Sequence, residues 1–393
     1  METRPQCRLC GQRDHWIPEH LKKAHGLGLE AYLTRFPGAP TASVGVSEVL
    51  DRIETGWKVV RKRPSADLRV DFGGVRAPVA TDGPASACLP LPSHFKIPTH
   101  GRLGSDVSAV AVALACGRSV YIHGPSGSGK DALIHAWSAL TRRPGLVFQM
   151  DPSADVRSWF YSHEFDASGT RWEEGLLLRA LRDGYVAPSG RRVPYLVLVT
   201  DFDRATREQA ESLRLVLDSI EGRVPGPDGT VHSVLDGTLF AFTANTAGGG
   251  DHRGRYTSAN VIDASILDRI DRAYEFHPMD WFDEVHVVVA KFPTLNAECS
   301  GVIEGMRGVT RALRDATRKE ELFGDFSHRS LCSVLGAAED ILRLKGTTDA
   351  GELLRAGLRS FVDRLPDPES RQTAWRLADP FVPGGAILPE VRR

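Results

Sequence analysis

Short apolar runs alternate with amphipathic stretches between residues 101 and about 278. We predict strands at Val120–His123, Leu146–Met150, Leu196–Thr200 and Thr238–Thr243, because each is a brief apolar run bounded by polar or turn-forming residues. Stretches with helical periodicity separate these runs, and such alternation is typical of a parallel α/β sheet. The central part of the chain is therefore predicted to be an α/β domain.

The flanking regions show different patterns. From about residue 280 to 345 apolar residues recur at helical spacing, as they do again in Glu352–Leu365, so this region is predicted to be all-helical. Residues 41–94 contain many prolines and glycines, and we predict a linker there with one short helix near Val46–Thr55. The predicted domains are 1–40, 41–94, 95–278 and 279–393.

Composition and charge narrow the class of protein. The chain has 393 residues, 41% hydrophobic and 25% charged, with a net charge of −1, so no global basic field favours nucleic acid. The first residues lack the apolar core of a signal peptide, and the apolar run Ala109–Cys116 is too short to cross a bilayer. The six cysteines form no disulfide pattern. We therefore expect a cytoplasmic protein with no membrane partner.

A candidate phosphate-binding loop is the most specific motif in the chain. Residues Gly124–Asp131 fit the pattern G-x-x-x-x-G-K-[ST] at every position except the last. A predicted strand precedes the loop and the helix-like run Ala132–Trp137 follows it. The alternative interpretation of these residues is a Gly/Ser-rich linker. In the functional reading, backbone N–H groups surround a phosphate and Lys130 reaches the outer phosphates. The candidate nucleotide-binding residues are Gly124, Pro125, Ser126, Gly127, Ser128, Gly129, Lys130 and Asp131.

An acidic motif follows the predicted strand Leu196–Thr200. In phosphate-loop enzymes, one residue at the end of such a strand helps to hold Mg²⁺ and the next polarises the attacking water. Thr200 and Asp201 occupy these two positions. Asp201 is thus a candidate catalytic carboxylate and Thr200 a candidate Mg²⁺ ligand, unless the strand simply ends in solvated carboxylates.

The ordered motifs together resemble those of AAA+ ATPases of the MoxR-related group, and most closely the cobaltochelatase small-subunit (CobS-type) branch. The resemblance covers about residues 95–345 and includes Phe240–Thr246, Gly250–Asn260, Ile266–Arg269 and Phe326–Arg329. It implies a P-loop AAA+ fold, in which helices sandwich the parallel sheet and an all-helical lid follows. It also implies ATP and Mg²⁺ as cofactors, a homo-oligomeric and most often hexameric ring, and a partner protein with a von Willebrand A domain.

The same resemblance implies roles for four residues. Asn245 would help to position the hydrolytic water. Arg269 would be the arginine finger that projects into the neighbouring subunit's nucleotide, with Arg272 as a weaker rival. Arg329 would be the second sensor, at the start of a lid helix. The alternative is that these arginines are ordinary surface or lid residues in ion pairs.

Four positions depart from the family pattern. Asp131 stands where Ser or Thr is usual, Thr200 for Asp, Asp201 for Glu, and His328 for Pro. Since a loop hydroxyl and a strand carboxylate normally lie side by side at Mg²⁺, we hypothesise that Asp131 and Thr200 have exchanged these two ligand types. Asp201 is one methylene shorter than Glu, which predicts slow hydrolysis. Decay of the site is the alternative.

The N-terminal region has the spacing of a zinc site. Cys7 and Cys10 are separated by two residues, and His20 and His25 by four, so the four side chains are predicted to hold Zn²⁺ in a tetrahedron. His15 is a substitute ligand. Such a small unit has little core of its own and would need the metal to fold.

Residues Cys7–Pro40 resemble the Ros/MucR-type bacterial zinc finger, which binds DNA in that family. A mildly basic face interrupted by acidic residues leaves DNA contact and protein contact both open. The basic residues are Arg4, Arg8, Arg13, Lys22, Lys23 and Arg35.

Three hypotheses for function follow from these motifs. The first is a ring-forming AAA+ ATPase that remodels a protein or nucleoprotein client. The second is an ATP-binding scaffold that hydrolyses poorly, and the third is a DNA-binding regulator in which the zinc finger is primary. Cobaltochelatase activity itself does not follow from the resemblance.

Overall fold

A computed structural model of the protein describes residues 6–12, 17–37, 39, 68–166, 169–214, 216–217, 222–226, 230–251 and 254–384. The chain divides into two compact units, Met1–Asp67 and Leu68–Arg393. His15, Arg4, Arg13 and the helix predicted near Val46–Thr55 lie outside the described residues.

The described part of the first unit is a short helical structure with a very small core. Helix α1 (Ile17–His20) continues into a π-helical turn, Leu21–His25, and helix α2 (Leu29–Arg35) follows. Tyr32 is fully buried, and its hydroxyl accepts a hydrogen bond from the Arg8 amide at 2.8 Å. Its buried apolar residues in the described part are Cys7, Ile17, Leu21 and Tyr32. A core of this size cannot by itself offset the conformational entropy that folding removes.

The second unit is a mixed α/β structure followed by helices. Its strands are β1 (Arg69–Phe72), β2 (Val75–Pro78), β3 (Val120–His123), β4 (Gly145–Gln149), β5 (Tyr161–Asp166), β6 (Gly169–Glu174), β7 (Tyr185–Val186), β8 (Arg192–Val193), β9 (Leu196–Thr200), β10 (Arg223–Pro225), β11 (Val231–Ser233), β12 (Leu239–Ala244) and β13 (Arg272–Glu275). Its helices are α3 (Gly101–Ala115), α4 (Lys130–Thr141), α5 (Leu176–Asp183), α6 (Arg207–Arg214), α7 (Ala264–Leu267), α8 (Trp281–Lys291), α9 (Pro293–Glu298), α10 (Ser300–Arg318), α11 (His328–Lys345), α12 (Ala350–Val362) and α13 (Pro368–Ala378).

A five-stranded sheet in the order β13-β3-β12-β9-β4 forms the centre of this unit. All four pairings are parallel. Side chains of β9 alternate between two cores: Leu196 and Leu198 pack with α3 and α4, and Val197 and Val199 pack with α5 and α6. Helices therefore cover both faces of the sheet, which explains why these strands read as continuous apolar runs. The predicted parallel α/β sheet is confirmed, and the four predicted strands lie within one residue of the observed ones.

The helices α8–α13 form a C-terminal helical part with its own core. Its buried side chains include Val302 and Leu313 of α10 and Leu331 and Leu335 of α11. The parallel sheet with helices on both faces and the all-helical part that follows it agree with the architecture that the sequence predicted. Among the described helices, none is both long and apolar enough to cross a membrane.

Residues 69–78 differ from the predicted linker over 41–94. They form the antiparallel hairpin β1–β2, in which Phe72 is buried and packs edge-on against Trp137 of α4, with ring centroids 5.1 Å apart. The prolines and glycines that indicated a linker instead flank this hairpin and its turn. The hairpins β5–β6 and β10–β11 were also not predicted, because short polar strands show only a weak alternation of apolar and polar residues.

Candidate nucleotide site and metal centre

The loop Gly124–Gly129 connects β3 to α4 at the carboxyl edge of the sheet, where ligands of open α/β sheets bind. Gly124 has a φ of 144° and Gly127 a φ of 73°, conformations that favour glycine. A Cβ atom at position 124 would collide with the carbonyl oxygen of Phe276, which follows β13. The backbone turn between β3 and α4 therefore requires glycine at these positions.

Lys130, the first residue of α4, is only 8% exposed. Its Nζ atom donates hydrogen bonds to the carbonyl oxygens of Gly124 at 2.8 Å and Pro125 at 3.0 Å, and lies 3.4 Å from Asn245 Oδ1. Burial lowers the pKa of Lys130 to about 8, against the opposing effect of nearby carboxylates. The ammonium is thus held at the loop, where phosphate oxygens would be stronger acceptors than neutral carbonyls.

Asp131 and Asp201 place two carboxylates beside Lys130. Asp131 Oδ1 accepts a hydrogen bond of 2.5 Å from the hydroxyl of Thr243 on β12. Asp201 follows β9 with a φ of 53° and accepts a 3.3 Å hydrogen bond from Gln149. Burial raises the pKa of Asp201, and the like charge of Asp131 raises it further. Two mutually repelling carboxylates are an arrangement that a divalent cation would relieve.

Thr200 is the half-buried last residue of β9, paired in register with Gln149 of β4. The hydroxyl that contacts Asp131 belongs to Thr243, so the described contacts do not pair Asp131 with Thr200. The sequence did not identify Thr243, because no motif position marks it. Only the knowledge that β12 neighbours both β3 and β9 could have found it.

Asp203 is a buried carboxylate that organises the ends of two strands. It is 1% exposed, and its Oδ2 accepts hydrogen bonds from the amides of Asn245 at 3.0 Å and Thr246 at 2.9 Å and from the Thr246 hydroxyl at 3.1 Å. These bonds hold Asn245 beside Lys130. The sequence analysis assigned no role to Asp203, which lies two residues after Asp201 in the 3₁₀ turn that follows β9.

Tyr256 connects the phosphate-binding loop to the helical part. Its hydroxyl accepts a 3.1 Å hydrogen bond from the Ser126 amide and donates one of 2.6 Å to Asp325. Arg255 also pairs with Asp325, at 3.4 Å. The segment before α11 is therefore held to the loop through hydrogen bonds that sequence motifs did not predict.

The three candidate arginines lie in different settings. Arg329 is exposed in the first turn of α11, and the preceding Ser327 is so near the loop that a Cβ on Gly127 would lie 2.8 Å from its Oγ. Arg269 is half-buried and donates a 2.5 Å hydrogen bond to the carbonyl of Ser265. Arg272 is exposed on β13 and donates to the carbonyl of Asp271. Arg329 is near enough to Lys130 of the same chain for its positive charge to help lower the pKa of Lys130.

A cavity of about 1220 Å³ opens beside the loop. Residues 125–129, residues 275–282, α10 and the start of α11 form its walls. Basic side chains of α10, among them Arg307, Arg311 and Arg318, line one wall. The volume is ample for a nucleoside triphosphate, since ligand pockets of about 300–1,000 Å³ hold drug-sized molecules.

The first unit contains a separate cluster of metal-ligand side chains. One ligand atom from each of Cys7, Cys10, His20 and His25 lies within 4.8 Å of the other three. Cys10 Sγ is 3.2 Å from His20 Nε2, and Cys7 Sγ is 3.7 Å from His25 Nε2. Two thiols and two imidazoles with these separations form a donor set that suits tetrahedral Zn²⁺.

Comparisons with solved structures and with protein-family models show what the chain is similar to. Three structures of RuvB from Thermotoga maritima are similar: one mutant has 12% identity and a TM-score of 0.43, covering 68% of this chain and 71% of that chain. The Holliday junction branch migration motor has 12% identity and a TM-score of 0.40, covering 68% and 69%. A second mutant has 11% identity and a TM-score of 0.39, covering 68% and 69%.

A family model described as AAA domain (dynein-related subfamily) matches residues 119–269, which include the phosphate-binding loop, Asp201 and Arg269. The matched segment is less than half of the chain, and it spans β3 to just before β13 of the central sheet. Residues 119–269 are therefore similar to AAA domains of the dynein-related type, and the unit that contains them has the P-loop AAA+ fold.

Proposed function

We propose that this protein is an ATPase that binds Mg·ATP at the loop Gly124–Gly129 and uses it to remodel a protein or nucleoprotein client. The observation that carries the proposal is the buried Lys130 ammonium, held by carbonyl oxygens of its own loop. Residues 125–129 of that loop also line a large cavity. An AAA domain, the cavity and the carboxylates next to Lys130 support the same reading.

The residues present fit a bound Mg²⁺ ion. Asp131, whose orientation the Thr243 hydroxyl fixes, and Thr200 would be its hard oxygen ligands, and the repulsion between Asp131 and Asp201 would favour a cation between the phosphates and these groups. The ion would neutralise the charge of the phosphates. Asp201 would orient the attacking water, assisted by Asn245, whose backbone is fixed by Asp203. Lys130 would move from its loop carbonyls to the outer phosphates.

Assembly into a ring, most simply a hexamer, is part of the proposal. Arg269 would act on the nucleotide of the neighbouring subunit, and Arg329 would contact the nucleotide of its own subunit from the helical part. The resemblance to MoxR-related and CobS-type proteins supports this arrangement and also a von Willebrand A-domain partner. A scaffold that binds ATP with little turnover is the second candidate, favoured by the short carboxylate at Asp201.

The first unit is proposed to be a zinc finger held by Cys7, Cys10, His20 and His25. Its exposed Arg8, Lys22, Lys23 and Arg35 offer a contact surface for DNA or an acidic protein segment. If DNA binding through this finger were the primary activity, the protein would instead be a regulator.

Replacing Lys130 with Ala tests nucleotide binding. We expect the affinity for a fluorescent ATP analogue to fall about 10- to 100-fold, because a charge-assisted hydrogen bond contributes about 1.5–3 kcal/mol. Lys345→Ala, at an exposed lysine ending α11, is the matched control and should bind normally. Wild-type turnover of ATP then separates an ATPase from a scaffold. Equal affinity for the Lys130 variant and wild type would refute the site.

Replacing Arg269 with Ala tests the ring. We expect ATP binding to persist while turnover falls by about 10³, the typical contribution of an arginine finger. Mass photometry of the wild type with ATP should show a closed oligomer. Arg272→Ala is the control, and a loss of turnover there but not at Arg269 would reassign the finger. Monomers alone in the presence of ATP would contradict a finger that acts between subunits.

Two double-mutant cycles test the exchanged ligands. If Asp131 and Thr200 have traded a hydroxyl for a carboxylate, Asp131→Thr and Thr200→Asp should each weaken Mg·ATP binding, and the double variant should restore it. The second cycle combines Asp131→Thr with Thr243→Val, which removes the observed hydrogen bond. Coupling only in the second cycle would show that Thr243 orients Asp131, and it would exclude the exchange with Thr200.

Removing the cysteine pair tests the metal. Purified protein should carry about one Zn²⁺ per chain, and Cys7→Ser/Cys10→Ser should lose it. Chelation should unfold the first unit while the second stays folded, because metal binding supplies the folding free energy of such small units. Cys116→Ser, at an exposed cysteine of the second unit, serves as the control that keeps the metal. Unchanged zinc content in the double variant would disprove the assignment.

A further inference from the structure

Cys332 and His328 at the start of α11 and Glu284 of α8 are connected by direct side-chain contacts. Cys332 Sγ is 3.4 Å from His328 Nε2, and His328 Nδ1 is 2.9 Å from Glu284 Oε1. Glu284 is fully buried and forms two 2.8 Å hydrogen bonds with the guanidinium of Arg314. His328 is thus fixed between a carboxylate and a thiol, and this contact explains the departure from proline at position 328.

The charges around the thiol favour its ionised form. Burial opposes a charge on His328, but the hydrogen bonds with Cys332 and Glu284 outweigh it and raise the pKa of His328 to about 9. Burial likewise opposes the thiolate, yet His328 and Lys291, the last residue of α8, together lower the pKa of Cys332 below its ordinary value. The groups that face the thiol are cationic, and the buried Glu284 is already paired with Arg314.

Other cysteines of the second unit lie in different environments. Burial raises the pKa of Cys88 and of Cys299 above the ordinary value, which makes both less reactive. Cys116 is exposed. Cys332 is partly exposed and has an imidazole in hydrogen-bond contact, the combination that marks reactive cysteines.

The position of this group connects it to the phosphate-binding loop. His328 lines the large cavity, and its neighbour Ser327 caps α11 and packs against Gly127. Arg329, the proposed second sensor, is the next residue. A change in the charge or size of the Cys332 side chain therefore acts one helical turn from the surface where the helical part meets the loop.

We propose that Cys332 is a modification site, a thiolate activated by His328 that reacts with hydrogen peroxide and soft electrophiles. In the reaction with peroxide, the thiolate sulfur attacks one peroxide oxygen and the O–O bond breaks. The departing hydroxide takes the proton of the His328 imidazolium and leaves as water, so that sulfur is oxidised to a sulfenic acid and peroxide is reduced. His328 loses its charge, and Glu284 loses one of its two cationic partners.

The thiol chemistry is tested on the full, zinc-loaded chain by alkylation with iodoacetamide between pH 6 and 9, read for each cysteine by peptide mass spectrometry. At pH 7 we expect Cys332 to react on the order of tenfold faster than the exposed Cys116. His328→Gln should shift the pH dependence of Cys332 alkylation to higher pH. Lys291→Gln should cause a smaller shift in the same direction, because it leaves the His328–Glu284 contact intact. Labelling of Cys332 no faster than Cys116, or a profile unchanged in both variants, would overturn the proposal.

The consequence for nucleotide binding rests on the proposed function and has a separate measurement. After peroxide treatment, a sulfenic-acid probe should label Cys332 first, and the ATP affinity of the wild type should fall while that of Cys332→Ser stays constant. Probe labelling elsewhere first would contradict the assignment. If untreated protein bound no ATP, the ATPase proposal would fail, yet the alkylation profile would still decide whether the thiol is activated.

Discussion

The buried carboxylate of Asp203 is the interaction on which the candidate site depends. It follows β9 and accepts hydrogen bonds from the backbone that follows β12, so it joins the carboxyl ends of two adjacent parallel strands. Without it, two partly buried amides would lose their acceptor, and an amide left unsatisfied on burial costs about 1–3 kcal/mol. This carboxylate fixes the position of Asn245. It thereby also fixes the contact between the Asn245 side-chain amide and Lys130.

A second constraint determines how the helical part meets the loop. Tyr256 bonds to Ser126 and to Asp325, and Ser327 packs on Gly127. The Ser126 amide, which donates to Tyr256, is one of the backbone N–H groups that would bind a phosphate in such a loop. Nucleotide binding would therefore compete with this hydrogen bond. A nucleotide bound at the loop would therefore affect the contact between the loop and the helical part.

The sequence predicted four of the five strands of the central sheet, because the three inner strands β3, β9 and β12 are buried on both faces and therefore apolar. The edge strand β13 was not predicted, since it is short, polar and largely exposed. It predicted the phosphate-binding loop because glycine spacing and Lys130 are properties of adjacent residues. It did not predict the hairpin that contains Phe72, since the flanking prolines and glycines indicated a linker, and it gave no role to Asp203. The contacts of Thr243 with Asp131 and of Tyr256 with Ser126 were also not predicted, because more than 100 residues of chain separate the two partners in each pair. Such pairs follow from strand order, which periodicity does not specify.

The altered motif positions form a coherent electrostatic arrangement. Asp131, Asp201 and Asp203 all act on Lys130, so one buried ammonium faces three carboxylates. Asp203 accepts amide hydrogen bonds only through Oδ2, while its Oδ1 is buried without a hydrogen-bond partner among the described residues. Asp131 accepts a hydrogen bond from Thr243, and burial together with the charge of Asp131 raises the pKa of Asp201. Negative charge is therefore in excess around Lys130. A triphosphate would add to that repulsion, and a divalent cation is the simplest species that reverses it. Binding of nucleotide without metal should accordingly be weak at this site, and the acid that replaces the usual hydroxyl makes the metal more necessary rather than less.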